Sequence, residues 1–212
     1  MLFKFYDNMK RQQLGNWEYM SYQFIEVSSK EQLEKVFAFR YQIVCEKLGV
    51  IELENCQANQ EIDEYDPYSI HFAAFDEAEE VLACVRLIHH SPIGYPTTNN
   101  MEYDTVTWNF DSERLGEFSR IFVSPKLRSI EKLKPLFNSL KVIVSSKMEE
   151  LHISYTYGAL EKPFLRLLKI LHFPYRRIGD IQTYVGQRYP CIMYTDELIT
   201  ANPEIFKDNS VA

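Results

Sequence analysis

Two runs of strand-forming residues, His71 to Phe75 and Val81 to His89, are separated only by the polar segment Asp76 to Glu80. A connection that short closes an antiparallel hairpin and leaves no room for a crossover helix. The rest of the chain must pack around that ribbon. Upstream, Leu33, Val36, Phe37, Ile43, Val44 and Leu48 form an apolar stripe at helical spacing that ends at Gly49, and Ser28 or Ser29 can cap its start, with Glu31 and Gln32 three residues on. Downstream come a strand around Glu117 to Val123, a helix from about Pro135 to Glu150, a strand at Ile153 to Tyr157 and a helix at about Lys162 to Leu171. Strand candidates near Tyr175 to Ile178, Thr183 to Val185 and Cys191 to Tyr194 follow. The order α, ββ, β-α-β-α-β predicts an α/β (α+β) mixed sheet with helices on its faces.

Between hairpin and third strand, residues 91 to 113 form a long irregular excursion with Pro92, Gly94, Pro96 and the Asn99-Asn100 pair. Loops of this length in compact domains are often functional. With no internal repeat, no Gly/Ser linker and only 7 glycines in 212 residues, the whole chain reads as one domain, 1–212.

No window reaches the ~18 apolar residues of a membrane span, and the first twenty residues lack an apolar run with a cleavage site. A cytoplasmic protein without stable membrane insertion is therefore expected. Cys45, Cys56, Cys84 and Cys191 show no CxxC pairing or regular framework, which favours buried or free thiols over disulfides or metal ligands. The five histidines have no metal-ligand spacing, so no metal is expected. A net charge of -7 argues against nucleic-acid binding. That charge is uneven: Glu117 to Pro190 carries 13 Lys and Arg against 6 Asp and Glu, so it is +7 and the remainder -14. The basic half includes Lys126, Arg128, Lys132, Lys134, Arg166, Lys169, Arg176 and Arg177, which either are solvated helix faces or meet an acidic partner.

Several charged residues stand where apolar ones belong. Arg40 falls inside the helical stripe, and Arg86 lies in a run with Leu82, Cys84 and Ile88. A guanidinium cannot shed its charge, so each needs carboxylate partners, and Glu61-Ile62-Asp63-Glu64-Tyr65-Asp66 supplies them just before the hairpin. One buried ionic network is expected, serving either to fix the N-terminal segment to the sheet or to shape an acceptor pocket. In Gly116-Glu117-Phe118-Ser119-Arg120-Ile121-Phe122-Val123, strict alternation puts Glu117 and Ser119 on one face and Phe118, Arg120 and Phe122 on the other. Glu117 in a core strand is either ion-paired with an arginine or a general base for an amine.

The spacing Arg40, Asp63, Asp66, Arg86, then Glu117-x-Ser119-Arg120 resembles the acyl-homoserine-lactone synthases, a branch of the acetyltransferase-like (GNAT) superfamily. The strings FRYQIVCEKLG, EIDEYD, SIHF, VRLI, GEFSR and GQRYP, spread over Phe39 to Pro190, resemble still more the acyltransferases of PEP-CTERM/exosortase systems and the long-chain N-acyl amino acid synthases. A turn between terminal strands explains Gly186 to Pro190 equally well.

The resemblance implies a GNAT-like, mostly antiparallel sheet with a V-shaped gap between two splayed central strands, one beginning at Glu117 and the other formed by Ile153 to Tyr157. It implies an N-acyltransferase whose donor is an acyl-phosphopantetheine thioester, normally on acyl carrier protein and less readily coenzyme A, with a small-molecule amine as acceptor and no permanently bound cofactor. Arg40, Asp63, Asp66, Arg86 and Arg120 match that family's electrostatic cluster. Glu117 and Ser119 match its catalytic positions, and Phe118 its substrate-contacting ones. Val44 and Val50 stand where the lactone synthases carry aromatics, against S-adenosylmethionine as acceptor. The Gln/Arg-x-x-Gly-x-Gly/Ala loop that binds the coenzyme A pyrophosphate is missing, since no glycine falls between Gly116 and Gly158. The remaining alternatives are a lactone synthase, a CoA-dependent acetyltransferase and a non-catalytic acyl-carrier-binding module.

Overall fold

The computed structural model describes residues 22–49, 58–108, 110–127 and 129–206. The chain begins with a short strand β1 (Ile25–Glu26) and helix α1 (Lys30–Tyr41), which continues as a π-helical segment over Gln42–Lys47. Ser29 caps α1 by accepting from the backbone N–H of Gln32, as its spacing predicts. The stripe ends differently from the expectation: Val44 is buried but Leu48 is 60% exposed. The wider π turn rotates the residues after Gln42 out of α-helical phase.

The hairpin is β2 (Ser69–Phe75) with β3 (Val81–His89), paired antiparallel from Ser69 opposite Ile88 to Phe75 opposite Val81. The excursion folds into a one-turn helix, α2 (Pro96–Asn100). Then follow β4 (Leu115–Val123), α3 (Ile130–Glu150), β5 (Tyr155–Glu161), α4 (Lys162–Ile170), β6 (Arg176–Arg177), β7 (Gln182–Thr183), β8 (Gln187–Tyr194), α5 (Thr195–Thr200) and α6 (Pro203–Phe206). Helix α3 starts five residues before the expected Pro135, which sits in its second turn and gives up one backbone bond there. The strand expected at Ile153 to Tyr157 is shifted to 155–161, because the Ile153 N–H closes off the end of α3 on the Met148 carbonyl instead.

The eight strands form one sheet in the order β1-β2-β3-β4-β5-β8-β6, with β7 on β8, and every pairing is antiparallel except β4 with β5. That parallel pairing covers only Leu115 to Glu117 against Tyr155 to Tyr157. Beyond Glu117 the two strands part, so the expected V-shaped gap is present with Glu117 at its apex.

One sheet face, carrying Phe72, Val85, Leu87, Phe118 and Met193, packs against Leu136, Phe137, Leu140, Val144 and Met148 of α3 and Leu168 of α4. The opposite face is covered in two parts. Val36 and Phe39 of α1 pack on Ala73 and Cys84, and Tyr65 with Tyr95 of the excursion packs on Ile88, Tyr157 and Ile192. Cys84 and Cys191 are free and buried, but Cys45 is disulfide-bonded. This corrects the expectation of unpaired thiols for that residue, since a single bridge leaves no spacing pattern of the kind a multi-cysteine framework shows. Cys56, Val50 and Arg128 lie outside the described residues.

Candidate active site

Between Cys84 and Arg86 the β3–β4 register shifts: Cys84 faces Phe122 and Arg86 faces Ser119, so Arg120 and Ile121 together oppose Val85. This is a β-bulge, and Arg120 occupies it with φ +51. A non-glycine residue in the left-handed region costs about 1 kcal/mol. The extra residue reverses the side-chain parity of the strand. Arg120 and Phe122 therefore join Glu117 and Ser119 on the face opposite α3, while Phe118 and Ile121 face the core. Strict alternation had assigned Arg120 and Phe122 to the Phe118 face, and the bulge overturns that expectation.

The ionic network forms where the sequence places it. Arg40 is wholly buried and donates from Nε to Glu61 (2.5 Å) and from Nη1 and Nη2 to the two oxygens of Asp66 (2.7 and 3.0 Å). Arg86 donates from Nη1 to Asp63 (2.5 Å) and Asp66 (2.9 Å), and from Nε to Ser119 Oγ (2.9 Å). Arg120 donates to Glu61 (2.8 Å) and Asp63 (2.8 Å). Three guanidinium groups thus meet three carboxylates, which is the condition for burying them. Burial opposes ionisation of Glu61, yet Arg120 and Arg40 hold its pKa down to about 2. Asp66 is likewise shifted down, because Arg40 and Arg86 outweigh its burial. Burial lowers His71, 3.6 Å from Asp66, to about 4, so the imidazole is neutral.

Glu117 stands apart from this network. It is 1% exposed and, among the described residues, pairs with no arginine; its oxygens accept from the Thr97 backbone N–H (2.9 Å) and Thr97 Oγ1 (3.0 Å). Pro96 begins α2, so the N–H of Thr97 is one of the amides that a helix start leaves unpaired. Desolvation pushes the Glu117 carboxyl up to about 7, and the two Thr97 donors only partly oppose it. The excursion is pinned over the carboxyl by further side chains: Tyr95 Oη donates to the Leu115 carbonyl (2.6 Å), Asn99 Nδ2 to Tyr65 Oη (3.0 Å), and Tyr103 and Tyr157 share a hydrogen bond (3.2 Å). A buried carboxyl half-ionised at neutral pH and held by two donors can take up a proton from a group beside it.

On the other side of β4, two voids share a wall. A cavity of about 10 Å³ is enclosed by Val85, Phe118, Ile121, Phe137, Leu168, Tyr175 and their neighbours, and has room for about one water. An apolar groove of about 360 Å³ lies around the C-terminal end of β4, lined by Ile43, Phe122, Val123, Pro125, Leu133 and Phe164 among others, and so reaches past the strand end to both faces. Ile121 and Phe137 line both.

Of the residues singled out from sequence, Arg40, Asp63, Asp66, Arg86, Ser119 and Arg120 converge on one face and Glu117 lies two residues along it, while Phe118 faces the cavity. Sequence reasoning counted Glu61 among the nearby carboxylates without assigning it to the site, and it missed Thr97 altogether. The clue to Thr97 was Pro96 opening a helix inside an overlong loop.

Residues 39–137 match the family described as Acetyltransferase (GNAT) domain. That match spans just under half of the chain, and the structure has a GNAT-like fold. Solved structures with the same fold include a CoA-dependent acyl-homoserine lactone synthase, BjaI, with SAM and isopentyl-CoA (TM-score 0.66, 16% identity, 88% of this chain and 89% of that one). The AHL synthase LasI is similar at TM-score 0.66 and 13% identity, covering 85% of this chain and 92% of its own. FeeM, an N-acyl amino acid synthase from uncultured soil microbes, aligns at TM-score 0.63 and 15% identity over 85% of this chain and 94% of its own. No curated protein matches the sequence. Among the described residues, no helix is long and apolar enough to cross a membrane.

Proposed function

We propose that this GNAT acyltransferase moves a long fatty acyl group from acyl-acyl carrier protein to the amine of an amino acid-like small molecule. The observation that carries the reading is Glu117, buried at the apex of the β4–β5 gap with a carboxyl poised near pH 7. The acceptor's ammonium group gives up one proton to Glu117, directly or through a water, and the free amine attacks the thioester carbonyl, forming the C–N bond. As the tetrahedral intermediate collapses and the C–S bond breaks, the nitrogen loses a second proton and the departing pantetheine thiolate takes it up as free thiol. No covalent enzyme intermediate is needed. Past Glu117 the β5-facing edge of β4 has no strand partner, so its backbone groups are available to the two amides of a pantetheine arm and to a developing oxyanion.

Two features favour a carrier protein over coenzyme A. The connection from β4 to α3 is a 3₁₀ turn over Pro125–Leu127 that buries Leu127 in place of a glycine-rich phosphate cradle. Exposed Lys126, Lys132, Lys134 and Arg166 are sequence neighbours of the groove-lining residues Pro125, Leu127, Leu133 and Leu167, which suits an acidic donor protein. A cytoplasmic setting belongs to the same proposal, because carrier-bound thioesters are cytoplasmic substrates.

The test is release of free thiol from long-chain acyl carrier protein and from the matching acyl-coenzyme A, with pooled amino acids or S-adenosylmethionine as acceptor and mass spectrometry of products. An N-acyl amino acid formed from the carrier thioester supports the reading. Methylthioadenosine release identifies a lactone synthase instead, and thiol release from coenzyme A alone overturns the choice of donor. Carrier binding with no acceptor-dependent thiol release leaves a binding module.

A further inference from the structure

Arg86 lies wholly buried between the ionic network and Glu117, and its donors are unequally used. Nη1 meets Asp63 and Asp66, Nε–H meets Ser119 Oγ, but Nη2 is buried with no partner among the described residues. In a network that otherwise pairs every guanidinium nitrogen it brings inside, an orphaned nitrogen keeps the full cost of its lost hydration unless something occupies it. Ser119 Oγ accepts from Arg86 Nε, so its own O–H proton is free for another acceptor. Ser119 is only partly buried, on the face it shares with Glu117.

We infer that Arg86 Nη2 and Ser119 Oγ form a carboxylate-binding fork that seats the acceptor amino acid by its acid group and delivers its amine to Glu117. The inference rests on the transferase reading and adds how the acceptor is chosen. Two adjacent donors, one of them cationic, fit the two oxygens of a carboxylate better than a single neutral acceptor. Glu117 and Ser119 are two residues apart on one face of β4, so a ligand whose acid sits on Ser119 can present its amine toward Glu117. The fork is completed by the bulge. Because Arg120 turns out of the core to hold Glu61 and Asp63, Asp63 is shared between Arg120 and Arg86 Nη1, and Nη2 is left to the ligand.

The experiment runs thiol release on the full chain with a long-chain carrier thioester, each of the twenty amino acids being compared with its own carboxamide. The amino acid that is used should surpass its amide by about 10²-fold in kcat/KM. Ser119→Ala should lower kcat/KM for the acid about tenfold more than for the amide, with KM for the donor unchanged. Arg86→Lys keeps the charge and lacks the fork, and where circular dichroism shows it folded it should lose most of the acid-over-amide preference. Equal use of acid and amide by the unaltered protein overturns the inference, as does an equal loss on both in Ser119→Ala. Absence of thiol release with every acceptor sinks the transferase reading instead. In that event calorimetry decides the fork: heat of binding from an amino acid that its carboxamide does not reproduce supports it, and no such difference refutes it.

Discussion

Replacing Glu117 by Gln should change the pH dependence of stability in a way that isolates this one carboxyl. Its folded pKa of about 7 lies above the ordinary 4.5, so below pH 4.5 the group is protonated in both states and its full stabilising contribution is present. As pH rises from 4.5 to 7 the unfolded chain ionises first and that contribution is lost, by about 3 kcal/mol at about 1.4 kcal/mol per unit. His71 acts the opposite way. Its folded pKa of about 4 lies below the ordinary 6.5, so stability rises by about 3 kcal/mol as pH climbs from 4 to 6.5. In the unaltered protein the two slopes nearly cancel between pH 4.5 and 6.5. In Glu117→Gln the His71 slope stands alone, and the difference between the two proteins grows by about 3 kcal/mol from pH 4.5 to pH 8. Glu61 and Asp66 are common to both and drop out of the comparison. Urea unfolding at pH 4.5, 5.5, 6.5 and 8 measures it. A difference that stays constant with pH would refute a carboxyl poised near neutrality, and with it the general-base assignment. The same variant should lose about 10² to 10⁴ in kcat.

Thr97→Val removes one charge-assisted donor to Glu117, worth about 1.5–3 kcal/mol, and so should move the rising limb of the kcat/KM against pH profile up by about one to two units. Arg40→Met leaves Glu61 and Asp66 buried without their shared partner and should cost about 3–5 kcal/mol in denaturant unfolding, whereas exposed pairs such as Lys30–Glu34 should cost under about 1 kcal/mol. Phe137→Ala joins the groove to the inner cavity; a Tm drop corresponding to about 3–5 kcal/mol should be accompanied by a shift toward longer acyl donors in competition assays. Lys132→Glu with Lys134→Glu should raise KM for a carrier-protein donor and remove most of its salt dependence, with smaller changes for acyl-coenzyme A.

Much of this site was legible in the sequence because burying charge is costly. Arg40 and Arg86 sit at positions that helical and strand periodicity reserve for apolar side chains, and the carboxylate run from Glu61 to Asp66 just before the hairpin is the one that meets them. The hairpin followed from alternation and connection length, and the mostly antiparallel sheet with its gap from the family resemblance. Arg120 was misassigned because periodicity assumes regular backbone, and a bulge at a non-glycine residue carries no compositional mark. Thr97 was missed because its contact with Glu117 depends on how a twenty-residue excursion folds back. The exposure of Leu48 escaped notice for a similar reason, since an i→i+5 turn looks like any other helical stretch in one dimension.

The bulge at Arg120 also bears on how the sheet finds its register. The β3–β4 ribbon has two ways to zip past Ser119: a regular one, which would aim Arg120 into the apolar layer under α3, and the observed one. Local sequence does not choose between them, since the bulged residue lacks the glycine that would make its conformation easy. The choice is made by Glu61 and Asp63, 59 and 57 residues upstream of Arg120, which can be reached only in the observed register. The acidic segment therefore serves as the proofreader of strand pairing, and the end of β4 becomes committed only once chain ends that are far apart in sequence have come together.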